Sequence, residues 1–127
     1  MNKNIDNILM LEEIKALLNN GGASLKGGKP KNLKSGFMVS LYGFEMCLKS
    51  TYYKRIIKAI KKQQRVIEGM KQIYNKNVYY VGLWVDNGLC YIDISIRISN
   101  KKQALIMGLC NNQLAIYSNK KNESIYL

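Results

Sequence analysis

Residues 78–98, VYYVGLWVDNGLCYIDISIRI, alternate between apolar and mixed positions with a period of two. That period belongs to a half-buried strand. Asn87-Gly88 interrupts it, and this pair tolerates the two positive φ angles of a tight hairpin turn. With those two residues as the loop, Asp86 faces Leu89, Val85 faces Cys90, Leu83 faces Ile92, Val81 faces Ile94 and Tyr79 faces Ile96. The last four pairs make one apolar face. The other face pairs Trp84 with Tyr91, Gly82 with Asp93, Tyr80 with Ser95 and Val78 with Arg97. A slip of one residue would exchange the faces, so the isoleucine alternation specifies the register.

A helical period governs the preceding segment. Tyr53, Ile56, Ile60, Gln63, Ile67, Met70 and Tyr74 follow steps of three and four, and Ala59, Val66 and Ile73 widen the stripe. This predicts a long amphipathic helix, capped by Ser50 or Thr51 and stopped by Asn75, Lys76 and Asn77. Only Gln63 breaks the apolar side. Residues 4–18 predict a first helix, with Ile5, Ile8, Leu9 and Ala16 on one side and Leu11, Ile14 and Leu18 widening it. FMVSLYGFEMCLK, residues 37–49, predicts two short strands broken at Gly43. Asn100 and Gln103 are spaced as a capping box for a helix over 101–110. Residues 113–118 and 123–127 predict a last hairpin. Hairpins alternating with helices predict a single α+β domain, an antiparallel sheet with helices on one face.

The chain's 127 residues suit one such domain. No apolar run approaches the roughly 18 residues of a membrane span. Asp6, Glu12 and Glu13 inside the first apolar stretch do not fit a secretory signal, so a cytoplasmic protein is expected. Cys47, Cys90 and Cys110 are odd in number and form no C-x-x-C pair, so buried, reduced thiols are expected. Histidine is absent. That removes the usual general base, the usual partner of a Ser or Cys nucleophile, and the commonest metal ligand. The eight acids include no D-x-D or E-x-x-D cluster. Nothing in the sequence calls for a cofactor or a metal, and a non-enzymatic role is expected.

Charge changes the picture more. Twenty bases against eight acids give a net +12. Residues 1–20 carry two bases and three acids, residues 78–127 five and three, but residues 21–77 carry thirteen and two. Within the long helix, Lys54, Lys58, Lys61 and Arg65 share the side opposite the apolar stripe, and Arg55 and Lys62 flank them. Like charges at i,i+4 cost a few tenths of a kcal/mol per pair, so a face needing only solubility would mix signs. This surface suits phosphates or an acidic protein surface.

A secondary surface is available on the other face of the central hairpin. Tyr80, Trp84 and Tyr91 could stack on bases or anchor a protein, with Arg97 beside them. Three helices must pack somewhere, however, and cover of this face by a helix is expected. Residues 21–36, GGASLKGGKPKNLKSG, predict a flexible basic loop whose Lys31 and Lys34 would extend the helix patch if it folds alongside. Gly22 and Gly27 have the P-loop spacing, but Gly28 stands where its lysine belongs.

The blocks GGASL, GFMVSLYGFE, YVGLWVDNGLCYIDISIRI and ALIMGLCNNQLAIYS resemble small accessory proteins of phages and conjugative elements, which carry GGATL, GYMVSL, LWIDNG, YIDIS and NQLAIYD-like blocks. The likeness covers most of residues 21–118. This chain departs from it at Ser118, where an acid is common, and in its more basic helix. The resemblance implies a mobile-element setting, in which small proteins often inhibit host defence, as anti-CRISPR proteins do. The leading expectation is therefore a binding protein that engages nucleic acid, or a host nuclease or ribonucleoprotein complex, through the basic helix. The alternatives are a nucleic-acid-binding regulatory protein and a nucleotide-binding protein using the Gly/Lys loop with Asp93. A homodimer is left open.

Overall fold

The computed structural model describes residues 3–74 and 78–127, the side chains of 3–10 and 74 excepted. In chain order the elements are α1 (Lys3–Asn19), β1 (Gly22–Lys26), β2 (Lys29–Pro30), β3 (Phe37–Ser40), β4 (Met46–Lys49), α2 (Tyr53–Tyr74), β5 (Tyr79–Asp86), β6 (Leu89–Ile98), α3 (Lys101–Cys110), β7 (Ala115–Ser118) and β8 (Glu123–Tyr126). The strands form one antiparallel sheet in the order β2-β1-β5-β6-β3-β7-β8, with β4 also beside β6. This is the α+β domain that the alternation of hairpins and helices predicts.

β5 and β6 form its centre in the expected register, from Asp86 opposite Leu89 to Tyr79 opposite Ile96. Asn87 and Gly88 have φ of 51° and 75°, as the turn demands. β6 outlasts any single neighbour on its far side. β4 pairs with its first half and β3 with its second, and the bend at Gly43 (φ 90°) separates the two.

All three helices lie on one face of this sheet. Ile92, Ile94, Ile96 and Ile98 point to the same side of β6. Ile92 and Ile94 pack with Val81, Leu83 and Cys90 against Ile14 and Leu18 of α1 and Ile56, Ala59, Ile60 and Ile67 of α2. Ile96 and Ile98 join Phe37, Val39 and Ile116 beneath Ala104 and Leu105 of α3. Each fully buried Ile or Leu here stabilises the fold by about 1.5–3 kcal/mol. Among the described residues no helix lies over the opposite, outer face, so the expected cover of Trp84 is not realised. Trp84 is 54% exposed.

Other differences have local causes. Residues 22–30 form the β1–β2 hairpin within the expected loop, because Gly27 and Gly28 (φ 60° and 78°) turn it while Ala23 and Leu25 join the core. In α1, Ile14 and Leu18 are buried and Ala16 is exposed, so the inward side is set by Leu11, Ile14, Leu17 and Leu18. Ile73 is 75% exposed and does not widen the buried side of α2. The orientations expected of Ile5, Ile8, Leu9 and Tyr74, and the helix stop at residues 75–77, lie outside the described residues. α3 runs over the predicted span, and Asn100 Oδ1 accepts from Gln103 N at 3.0 Å. Ser118, placed where the resembling proteins carry an acid, is buried and accepts from Lys121 N through Oγ at 3.2 Å.

Candidate functional site

α2 is amphipathic in the sense that its sequence demands. Ile56, Ala59, Ile60, Gln63 and Ile67 are buried against the sheet, while Lys54, Arg55, Lys58, Lys61, Lys62 and Arg65 are all exposed. The structure therefore brings the six cations to one solvent-facing flank. Gln63, the single polar residue on the buried side, donates through Nε2 to the carbonyl of Phe44 in the bend between β3 and β4. A strand that breaks loses ladder partners, and this side chain supplies one for a half-buried carbonyl. The polar interruption of the helix and the glycine bend are thus two halves of one feature.

The helix begins at Tyr53 with no acid in its first turn, so the positive end of its dipole adds to the cations above it. Arg55 lies 5.1 Å from the Tyr52 ring centroid, and Lys49, at the end of β4, lies 5.6 Å from the same ring. Lys15 of α1 sits 5.3 Å over Tyr53 and 3.9 Å from Glu12. Lys15, Tyr52, Tyr53 and Arg55 help line a shallow depression of about 510 Å³, together with Leu11, Thr51 and Lys54. Sequence reasoning missed Lys49, Tyr52 and Lys15. The i,i+3 spacing of Tyr52 and Arg55 was the available signal, whereas the approach of Lys15 depends on helix packing that no local pattern encodes. At the far end of the helix Glu68 meets Lys71 at 3.5 Å and accepts from Gln64 at 3.3 Å.

The residues of the secondary surface separate into three groups. Trp84 and Tyr91 form a tilted pair with ring centroids 6.0 Å apart on the outer face. Tyr80 is buried, with Lys26 Nζ 4.9 Å from its ring centroid. Burial pulls the Lys26 ammonium below the usual lysine range, and Lys71 and Lys31 add to that by repulsion. Arg97 is a staple: it donates to Ser35 O at 3.0 Å and to Ser35 Oγ at 2.7 Å, and Asn119 Nδ2 reaches the same carbonyl at 2.9 Å. These contacts hold the connection that leaves β2 and must pass β5 and β6 to reach β3. Lys31 and Lys34 are exposed on that connection. Because Tyr80, Trp84, Tyr91 and Arg97 belong to the outer face and the α2 cations to the helical side, the two sets are not one surface.

At the centre of the outer face Asp93 is buried and accepts from Ser40 Oγ at 2.6 Å and Ser95 Oγ at 2.7 Å. Gly82 opposite it leaves the space that its carboxylate fills. Glu45 is held above the usual carboxylate range by burial and then by the Asp93 charge. Tyr91 is pushed up by desolvation first, then by Cys47, Asp86 and Glu45. The upper part of the outer face is thus locally acidic, unlike α2. Gly27 and Gly28 turn the β1–β2 hairpin, and Asp93 is engaged by two serine hydroxyls. Among the described residues no group of three or more potential metal ligands occurs. Among the same residues no helix is long and apolar enough to cross a membrane. Of the cysteines, Cys90 is buried as expected, but Cys47 and Cys110 are exposed because they fall on outward positions of β4 and α3. Comparisons with protein-family models, curated proteins and solved structures returned no match.

Proposed function

We propose that this chain is a non-enzymatic binding protein that uses the exposed flank of α2 to engage a polyanionic surface, and that by doing so it inhibits a host defence nuclease complex. One observation carries the reading: six cations on a single exposed helix flank, with no acid between Lys54 and Arg65. The helix rise spreads Lys54, Lys58, Lys61 and Arg65 over roughly 17 Å, enough to follow several phosphates. The positive helix terminus, Lys15 and Lys49 extend the same potential around the start of α2. The absence of histidine, and an Asp93 already engaged by two hydroxyls, support a binding role over catalysis. The resemblance to phage and conjugative-element accessory proteins supports the inhibitory role.

The test is capture of partners from host lysate with and without nuclease treatment. An inhibitor of a nuclease complex retains its protein partner after nucleic acid is digested, and the purified complex loses cleavage activity when the chain is added. Release of all partners by nuclease, with direct binding of purified DNA or RNA, would instead make it a nucleic-acid-binding regulator. Retention in both arms by a variant with Lys54, Lys58, Lys61 and Arg65 changed to Glu would overturn the role of α2.

A further inference from the structure

The two ends of the strand order, β2 and β8, are built differently. One edge is β2, two residues long, with the sequence Lys29-Pro30. A short strand, a lysine and a proline are the usual devices that stop another strand from adding to an edge. The other end, β8, is four residues long and has neither a lysine nor a proline. Its sequence Glu123-Ser124-Ile125-Tyr126 carries one charge, and among the described residues it pairs only with β7.

The register shows which of its backbone groups face outward. Leu127 N donates to Leu114 O at 2.9 Å, so 114 and 127 form a hydrogen-bonded pair. Such pairs alternate along an antiparallel ladder. Ile116 with Ile125 is therefore hydrogen-bonded, while Ala115 with Tyr126 and Tyr117 with Ser124 are not. The N–H and C=O groups of Ser124 and Tyr126 consequently point away from β7, towards the free edge.

Apolar side chains collar this edge on both faces. Leu109, Leu114 and Leu127 are 62%, 84% and 41% exposed towards the helical side, and Tyr117 and Tyr126 are 39% and 80% exposed on the outer side. At about 200 Å² for a fully exposed large side chain, these five present on the order of 600 Å² per copy, near the roughly 800 Å² per partner of a standard interface.

We infer that β8 is the docking edge for a second copy of this chain, paired antiparallel about a two-fold axis through Ile125. In that register Ser124 faces the partner's Tyr126, and Tyr126 the partner's Ser124. The four outward groups of each copy then close four main-chain hydrogen bonds. The large Tyr126 ring lies against the small Ser124 on the outer face, and the two Ile125 side chains meet on the helical face. Antiparallel self-pairing satisfies both copies equally, as a closed dimer requires. The inference is independent of what α2 binds.

Sedimentation of the full chain over a wide concentration range tests it, together with amide hydrogen exchange. The expected result is a dimer of twice 14.5 kDa, with Ser124 and Tyr126 amides gaining protection as concentration rises. Tyr126→Lys changes a residue that is 80% exposed, and should weaken dimerisation at least tenfold while leaving the circular dichroism unchanged. Ser124→Pro removes an N–H that β7 does not use and should do the same. Should Ser124→Pro unfold the chain, Tyr126→Lys alone decides. A wild-type chain that stays monomeric, or a dimer that Tyr126→Lys leaves intact, would overturn the inference.

Discussion

Gly82 and Asp93 show how narrowly the centre of the sheet is specified. A methyl group at position 82 would stand inside contact distance of Asp93 Oδ1, whose carboxylate Ser40 and Ser95 hold in place. Gly82→Ala should destabilise the fold by about 1–3 kcal/mol, the usual cost of overpacking, as read from denaturant midpoints. Cys90 illustrates burial acting on a titrating group: its thiol is pushed up to about 11. Its folded pKa lies above the unfolded value, so the neutral thiol favours the fold. That contribution is complete below about pH 8.5 and is lost as pH rises towards 11. In native protein at pH 8, a thiol reagent should modify Cys47 and Cys110 and spare Cys90 until denaturant is added. Glu45 has the same sign. Its raised folded pKa means that ionisation opposes folding, so stability falls as pH climbs from the unfolded carboxylate value through the folded one. Glu45→Gln should therefore stabilise the protein at neutral pH, by no more than about 0.5 kcal/mol for so exposed a side chain, and flatten the melting temperature between pH 4 and 7.

At the scale of elements, α2 serves both packing and charge, and the two can be separated. Gln63→Leu should cost about 1–3 kcal/mol, because the half-buried Phe44 carbonyl loses the donor that the buried Gln63 amide supplies. Exchanging Lys54, Lys58, Lys61 and Arg65 for Glu should leave helicity intact by circular dichroism, since all four are exposed and the exchange places acids near the amino end. The same sequence signals that allow this separation were strong: 3.6-residue periodicity in α2, Asn-Gly between β5 and β6, and Asn100 with Gln103 ahead of α3 each fix local geometry almost alone. The β1–β2 hairpin was obscured because Gly and Lys density suggested a loop, although Gly27-Gly28 between alternating residues is itself a hairpin signal. The inward side of α1 could not be settled locally, since apolar residues occur around much of its circumference and packing on α2 and β1 decides among them.

At the scale of the molecule, the six cations of α2 make a ridge on the helical side of the sheet, whereas Asp86 and Asp93 belong to the outer face of the central hairpin. If that ridge neutralises three or four phosphates, the logarithm of affinity for duplex DNA should fall with the logarithm of salt with a slope of about −3 to −4, measurable by fluorescence anisotropy, and the fourfold Glu variant should abolish it. The six cations of α2 were legible because they lie on one element. That no helix is left for the outer face was not, because it depends on all three packing together on the isoleucine side, which no local pattern encodes. That packing leaves Trp84, the sole tryptophan, on the side away from α2. Its emission is thereby a built-in reporter of facedness. A ligand seated on α2 should leave the spectrum untouched, and any quenching or blue shift on complex formation would mean that the partner has wrapped around to the far side.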